Sequence, residues 1–292
     1  VEVRHATDDS HTGEWIKGLI KPWIEKIGFE RFCATCSDST GNTLLARQLL
    51  AKDFPTVLPI ADICHHLDNT NKDIVKIKYF DEVVKIIRGT IKSFSVSHAG
   101  KSALKKARQQ LRVGAGLEAI GNTRFVTVIL SAISIQRNLE AIKRALASSE
   151  RFDFEYSKYF QVVQKSYGRN FEAKLEQLIA VGLPIAKALT CLESNDANPA
   201  DVFIFWHAVI FHIEKTITDE ENDYPPEVQE EILTILNFRH SQLFCPGGRL
   251  YNAVYLATAY LNPGYLMSDL FIDNDIDPSH PTSLTTINNL QK

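Results

Sequence analysis

RFCATCSDSTGNTLLARQLLAKDFPTVLPIADICHHLDNTNKDI, Arg31 to Ile74, reads as strand, helix, strand, helix. Phe32, Ala34 and Cys36 alternate with Cys33 and Thr35 in the two-residue period of a strand. Ser37, Ser39, Thr40 and Asn42 are helix-start residues ahead of LLARQLLA, and Val57 to Ile60 is the next strand. Two strands joined through a helix are expected to pair in parallel, because a parallel pair needs a crossover connection. Asp38 falls where the first strand ends and the helix opens. There its carboxylate either caps the helix or faces a hard cation such as Mg2+, which selects carboxylate oxygens.

Working outward, Val1 to His5 is a candidate strand, and either it or a helix is expected to shield the open edge of the 31–36 strand; His11 to Gly28 is an amphipathic helix with Trp15, Leu19, Ile20, Trp23 and Ile27 on one stripe. Beyond Ile60 strands nearly vanish. Helical patterning predicts helices at 63–76, 79–97, 100–111, 124–149, 156–166, 170–194, 200–218, 226–243 and 247–261, punctuated by Gly and Pro clusters. The expected fold class is an α/β head with a mixed or parallel sheet, residues 1–78, then a large all-α body, 79–265, and a loosely packed tail, 266–292.

The 292 residues are 45% hydrophobic and 23% charged with a net charge of −3, so the chain has apolar content enough for a core, and any nucleic-acid contact must rest on a local patch. The longest apolar run, ADVFIFWHAVIFHI, falls short of the roughly 20 residues of a membrane span, so no membrane partner is expected. No signal peptide is read at the start. Five cysteines suit a reducing compartment better than a disulfide framework.

A local patch is present. From Lys72 to Arg112 the cations Lys72, Lys76, Lys78, Lys85, Arg88, Lys92, Lys101, Lys105, Lys106, Arg108 and Arg112 face acids only at Asp73, Asp81 and Glu82. Such a stretch is either a surface that tracks a phosphate backbone or a solvated helix face.

Read together, SDSTGNTLLARQLLAKDFP, ICHHLDNTNKDI, FDEVVKIIRGTIKSFS, LEAIGNTRF and RLYNAVYLATAYLNPGYL resemble, in order and spacing, the central part of hAT-superfamily transposases, especially the fungal ribonuclease H-like copies. The resemblance implies a partial RNase H-like head in which Asp38 and Asn42 match the second acid and the asparagine of an aspartate-x-x-x-asparagine motif. Cys64, His65 and His66 match a Cys/His motif, which implies that His65 faces the cleft or the DNA; its other reading is a structural histidine. Thr123, Arg124 and Phe125 match a Thr-Arg-Trp motif whose aromatic stacks on an extruded base, and Leu261, Asn262, Pro263 and Tyr265 match a Leu-Asn-Pro-x-Tyr helix end. The first acid of the family's DDE triad lies upstream of the matched part and the third downstream, ahead of the family's dimerisation region, so the expectation is incomplete catalysis and no basis for predicting self-association. Two-metal chemistry needs several carboxylates around ions about 3.5–4 Å apart, which Asp38 alone does not supply; Asp8 and Asp9 are possible recruits.

Phe125 has a plainer reading as the first core residue of a helix. Zinc on Cys33, Cys36, Cys64, His65 and His66 is disfavoured, because a CxxC along a strand points its thiols to opposite faces. The functional expectation is thus a transposase-derived, nuclear, DNA-binding protein with Asp38 as its one catalytic and metal (Mg2+) candidate. Asn42, His65, Lys101, Lys105, Lys106, Arg108, Arg124 and Phe125 are its expected DNA contacts. The alternative is a domesticated, non-catalytic helical scaffold for protein partners.

Overall fold

The computed structural model describes residues 10–121, 124–148, 152–163 and 165–266. Thr12 caps α1 (Gly13–Ile27) by accepting from the Trp15 amide at 3.2 Å. Next come β1 (Ala34–Ser37), α2 (Gly41–Asp53), β2 (Leu58–Ala61) and α3 (Ile63–Val75). The strands pair in parallel, Ala34 opposite Leu58 and Ser37 opposite Ala61, across the expected helix. The first strand expectation, Val1 to His5, lies outside the described residues.

The two edges of this sheet are treated differently. Leu58 and Asp62 donate to the carbonyls of Cys33 and Ser37, so Ala34 and Cys36 aim their backbone groups at the outer edge of β1, where no strand pairs among the described residues. The outer edge of β2 carries Pro59, which has no N–H, and its carbonyls accept from Asn252 at 3.5 Å and, through Ala61, from the Tyr255 hydroxyl at 3.4 Å.

Among the described residues every regular element after α3 is helical: α4 (Asp81–Val96), α5 (His98–Leu111), α6 (Val126–Arg137), α7 (Leu139–Ser148), α8 (Ser166–Leu192), α9 (Pro199–Thr218), α10 (Pro226–Phe244), α11 (Val254–Leu261) and α12 (Pro263–Leu266). The helix-dominated architecture with a small parallel sheet agrees with expectation, and four details differ. The predicted 124–149 helix is two, parted at Asn138, whose side-chain amide donates to Ala115 and Ser134 carbonyls at 3.1 and 2.8 Å. The predicted 156–166 helix is one 3-10 turn, Ser157–Phe160, in an aromatic cluster where Phe160 meets Phe171 edge-on at 5.3 Å. The last predicted helix starts only at Val254. The α1 stripe is also rotated from expectation: Gly13 and Ile24 are buried, with Leu45 packed over Gly13, while Ile20, Trp23 and Ile27 are exposed.

One apolar cluster runs from Ala61 through α3 and the helical body to Ala259, and a small second one holds Ile24, Leu50, Phe54 and Val57 with Phe32. α3 therefore belongs to the body as much as to the head. Among the described residues α8 alone is long and apolar enough to cross a membrane by length and composition; here it packs on α3, α6 and α9. The tail beyond Leu266 lies outside the described residues.

Three histidines are interred where α3, α9 and α10 meet. His66 Nε2 donates to the Arg239 carbonyl at 3.0 Å, His207 Nδ1 donates to the Phe203 carbonyl at 2.8 Å, and His240 stands 5.5 Å from the His207 ring. Burial pushes His66 and His207 down to about 4, and burial with the neighbouring His207 pushes His240 to about 3. These rings stay neutral in the folded chain while an unfolded chain protonates them below about pH 6.5. Stability should therefore be fully present above pH 6.5 and fall as the pH drops towards 4, each ring contributing up to about 1.4 kcal/mol per unit. Glu214, raised by burial to about 7, acts in the opposite sense below that pH and offsets part of the loss. Urea denaturation at pH 7.5, 6 and 5 checks this; unchanged midpoints would contradict it.

Candidate functional site

Two regions carry the candidate chemistry, and α3 joins them. At the carboxyl ends of the strands, where α/β sheets bind ligands, β1 runs into Asp38 and β2 into Asp62, one step beyond the Ser37–Ala61 pair of the register. Asp62 was not singled out from the sequence, although PIAD ahead of a helix repeats the strand-then-acid pattern of ATCSD. Both carboxylates already have work in the fold. Asp38 Oδ1 accepts the Thr43 hydroxyl at 2.6 Å and the Thr40 hydroxyl at 3.3 Å. The Thr43 bond holds the carboxyl below its ordinary range against a partial desolvation that opposes it, and Thr40 and the charge of His65 add to the lowering. Asp62 accepts the His65 amide at 3.2 Å and so caps α3.

Arg47, almost wholly buried, donates to the Ser37 and Asp38 carbonyls at 2.5 and 2.6 Å and clamps the end of β1 onto α2. Asn42 is exposed in the first turn of α2, and His65 is exposed beside the strand ends. Next to them a cavity of about 180 Å3 is lined by Thr40, Asp62, His65, Asn69, Arg239 and Arg249 among others. His66 is buried against Trp206, ring centres 5.2 Å apart, which leaves it no part in a shared ligand set with His65. Cys33 and Cys36 are exposed, and burial raises the Cys64 thiol to about 11, away from the thiolate that a metal needs.

The second region is a cavity of about 540 Å3. Arg88, Lys92 and Ser95 line it from α4, Ile120 and Gly121 from the loop before α6, and Arg124, Phe125 and Val128 from the start of α6. Lys85, Arg88 and Lys92 are exposed at helical spacing, so a basic rail leads along α4 to the cavity. Its apolar floor and cationic rim suit a planar, anionic ligand, and its size falls within the usual range for small-molecule sites, roughly 300–1,000 Å3. Phe125 is half-buried with the Lys72 ammonium 5.1 Å from its ring centre, and Arg124 is exposed and ion-paired with Glu193. The structure thus brings the expected Arg124 and Phe125 together with Arg88 and Lys92, which the sequence placed only in a basic stretch.

The remaining expected contacts divide. Lys101, Lys105 and Lys106 are exposed on α5, whereas Arg108 is half-buried and donates to the Gly114 carbonyl. The two regions lie within electrostatic reach of each other, since the Cys64 thiol feels Asp62 from one and Arg124 and Glu193 from the other. Among the described residues no group of three or more His, Cys, Asp or Glu could hold a metal ion. The chain matches no protein-family model, no curated protein and no solved structure.

Two predictions follow from this geometry. Thr43→Val removes the shortest bond to Asp38 and should raise its carboxyl towards the ordinary value near 4, read by NMR titration. Glu193→Gln frees Arg124; because exposed ion pairs are worth up to about 1 kcal/mol, affinity for an anionic ligand of the cavity should rise by up to about fivefold. A fall in affinity would show that Glu193 itself contacts the ligand.

Proposed function

We propose that the chain is a transposase-derived, DNA-binding protein of the hAT type, acting in the nucleus, whose small parallel sheet is part of an RNase H-like head. The observation that carries this reading is the cavity in which Arg88, Lys92 and Arg124 surround Phe125. Phosphates run along the exposed cations of α4 and α5, and an unpaired base stacks on Phe125, the pairing of backbone charge with an aromatic platform that single-stranded segments require. A chain with net charge −3 binds by this local patch rather than by its overall field.

Cleavage is expected to be absent or very weak. Mg2+ at a phosphoryl-transfer site takes one or two carboxylates with substrate oxygens, and a two-metal centre takes more. Asp38 and Asp62 offer two, both already engaged by Thr43 and by the His65 amide, so the described residues do not fit a two-metal centre and no reaction step is assigned to them.

One observation favours the scaffold reading instead. Ile20, Trp23, Ile27 and Phe29 leave 37–47% of their surface exposed on and after α1, and the outer edge of β1 is unpaired among the described residues. Apolar patches and open edges of this kind are where partner chains dock.

Fluorescence anisotropy with a blunt duplex and with the same duplex carrying an unpaired 5′ extension, at several salt concentrations, separates the two readings. The combined reversal Lys101→Glu, Lys105→Glu and Lys106→Glu should weaken both probes alike and lower the salt slope by nearly one unit per lost phosphate contact. Phe125→Ala should cost only the extended probe, by about 5- to 150-fold, the worth of one stacked base. Unchanged affinity and slope in the triple variant would leave α5 a solvated face and favour the scaffold.

A further inference from the structure

We infer that Asp68, a buried carboxylate in the middle of α3, is the residue that positions Arg124 and Phe125 in the cavity. This rests on the nucleic-acid reading for its ligand but not for its geometry. Asp68 is 6% exposed, and its Oδ1 accepts the backbone N–H of Val126 at 2.8 Å. Val126 is the first residue of α6, and Phe125 ahead of it supplies no side-chain cap. The first turn of a helix has backbone donors without partners, and a carboxylate there is favoured both as acceptor and by the helix dipole. The cap for α6 therefore comes from a residue 58 positions away.

A second contact from the same helix acts on the same place. Lys72 lies four residues after Asp68, hence on the same face of α3, and its ammonium sits 5.1 Å from the Phe125 ring centre. One helix thus grips the amide after Phe125 and the ring of Phe125 itself. Lys72 does not line the cavity, so the grip leaves the lining to Phe125 and Arg124. On the loop side, Thr127 donates to the Arg124 carbonyl at 2.6 Å and accepts the Gly121 amide at 3.0 Å.

The role is one of positioning rather than of holding α6 in the core. Val128, Ile129, Ala132 and Ile135 are buried along that helix and anchor it independently of its first turn. α3 is itself held: His66 bonds to the Arg239 carbonyl at 3.0 Å and Asp73 accepts Arg239 Nε at 3.0 Å. Losing the cap should loosen residues 124–127 and leave the rest of α6 in place.

The test compares Asp68→Ala and Asp68→Asn in the full chain, with the blunt and the 5′-extended duplex as probes. Asp68→Ala should lose about tenfold of the affinity for the extended probe, with blunt-duplex affinity and salt slope unchanged. Asp68→Asn keeps an acceptor oxygen and should restore most of that selectivity. Retained selectivity in Asp68→Ala, an equal loss on both probes, or failure of Asp68→Asn to rescue would overturn the proposal. If Asp68→Ala does not fold, Lys72→Gln decides: lost selectivity at constant salt slope supports the proposal and unchanged selectivity overturns it. If the parent chain binds neither probe, the nucleic-acid reading fails and amide exchange tests the positioning alone. Faster exchange confined to residues 124–128 of Asp68→Ala supports it, and exchange unchanged there overturns it.

Discussion

The burial of α3 is the constraint on which the rest of the structure depends. Eight of its residues, from Ile63 to Val75, are shut away from solvent, four of them polar: His66, Asp68, Thr70 and Asn71. Each polar group interred at that depth needs a partner or costs on the order of 1–3 kcal/mol. Two of the four have partners that fix neighbours: His66 ties α10 and Asp68 ties α6, while Thr70 donates back to the His66 carbonyl within α3 at 3.0 Å. The helix therefore carries Asp62 at one end and, farther along, fixes where the cationic cavity opens.

That double duty explains why the small sheet and the helical body are not independent units. A two-stranded sheet is marginal by itself. Here β2 is held from outside by Asn252 and Tyr255 and feeds directly into α3, so its stability derives from the body. β1 has less support: Arg47 clamps its end, and its outer edge is unpaired among the described residues. The exposed Trp23 and Ile27 of α1 belong to this same less covered part of the molecule.

The parallel strand pair and its crossover helix were legible because Phe32, Ala34 and Cys36 keep the strand period and the Ser/Thr/Asn cluster marks the helix start. The break at Asn138 was not, since it depends on an amide reaching Ala115, a contact that periodicity does not encode. The same holds for the site. Arg124 and Phe125 could be singled out as a pair, but their convergence with Arg88 and Lys92 required α4 and α6 to be set side by side. Asp62 was within reach of the sequence as a repeated strand-end acid, whereas Asp68 looked like any aspartate in a helix until its long-range bond to Val126 was visible. The bond from the Arg108 guanidinium to the Gly114 carbonyl was likewise hidden, since a basic residue in a basic run reads only as exposed.

On the proposed reading a nucleic-acid strand lies along α4 and ends at Phe125. Hydrogen exchange of the full chain with and without a 5′-extended duplex tests it most directly, because it maps protection without altering any residue. Protection is expected in 88–95 and 124–128, weaker protection along α5, and none in α9 or α10. Protection centred instead on α1 and the outer edge of β1, or none at all, would contradict it.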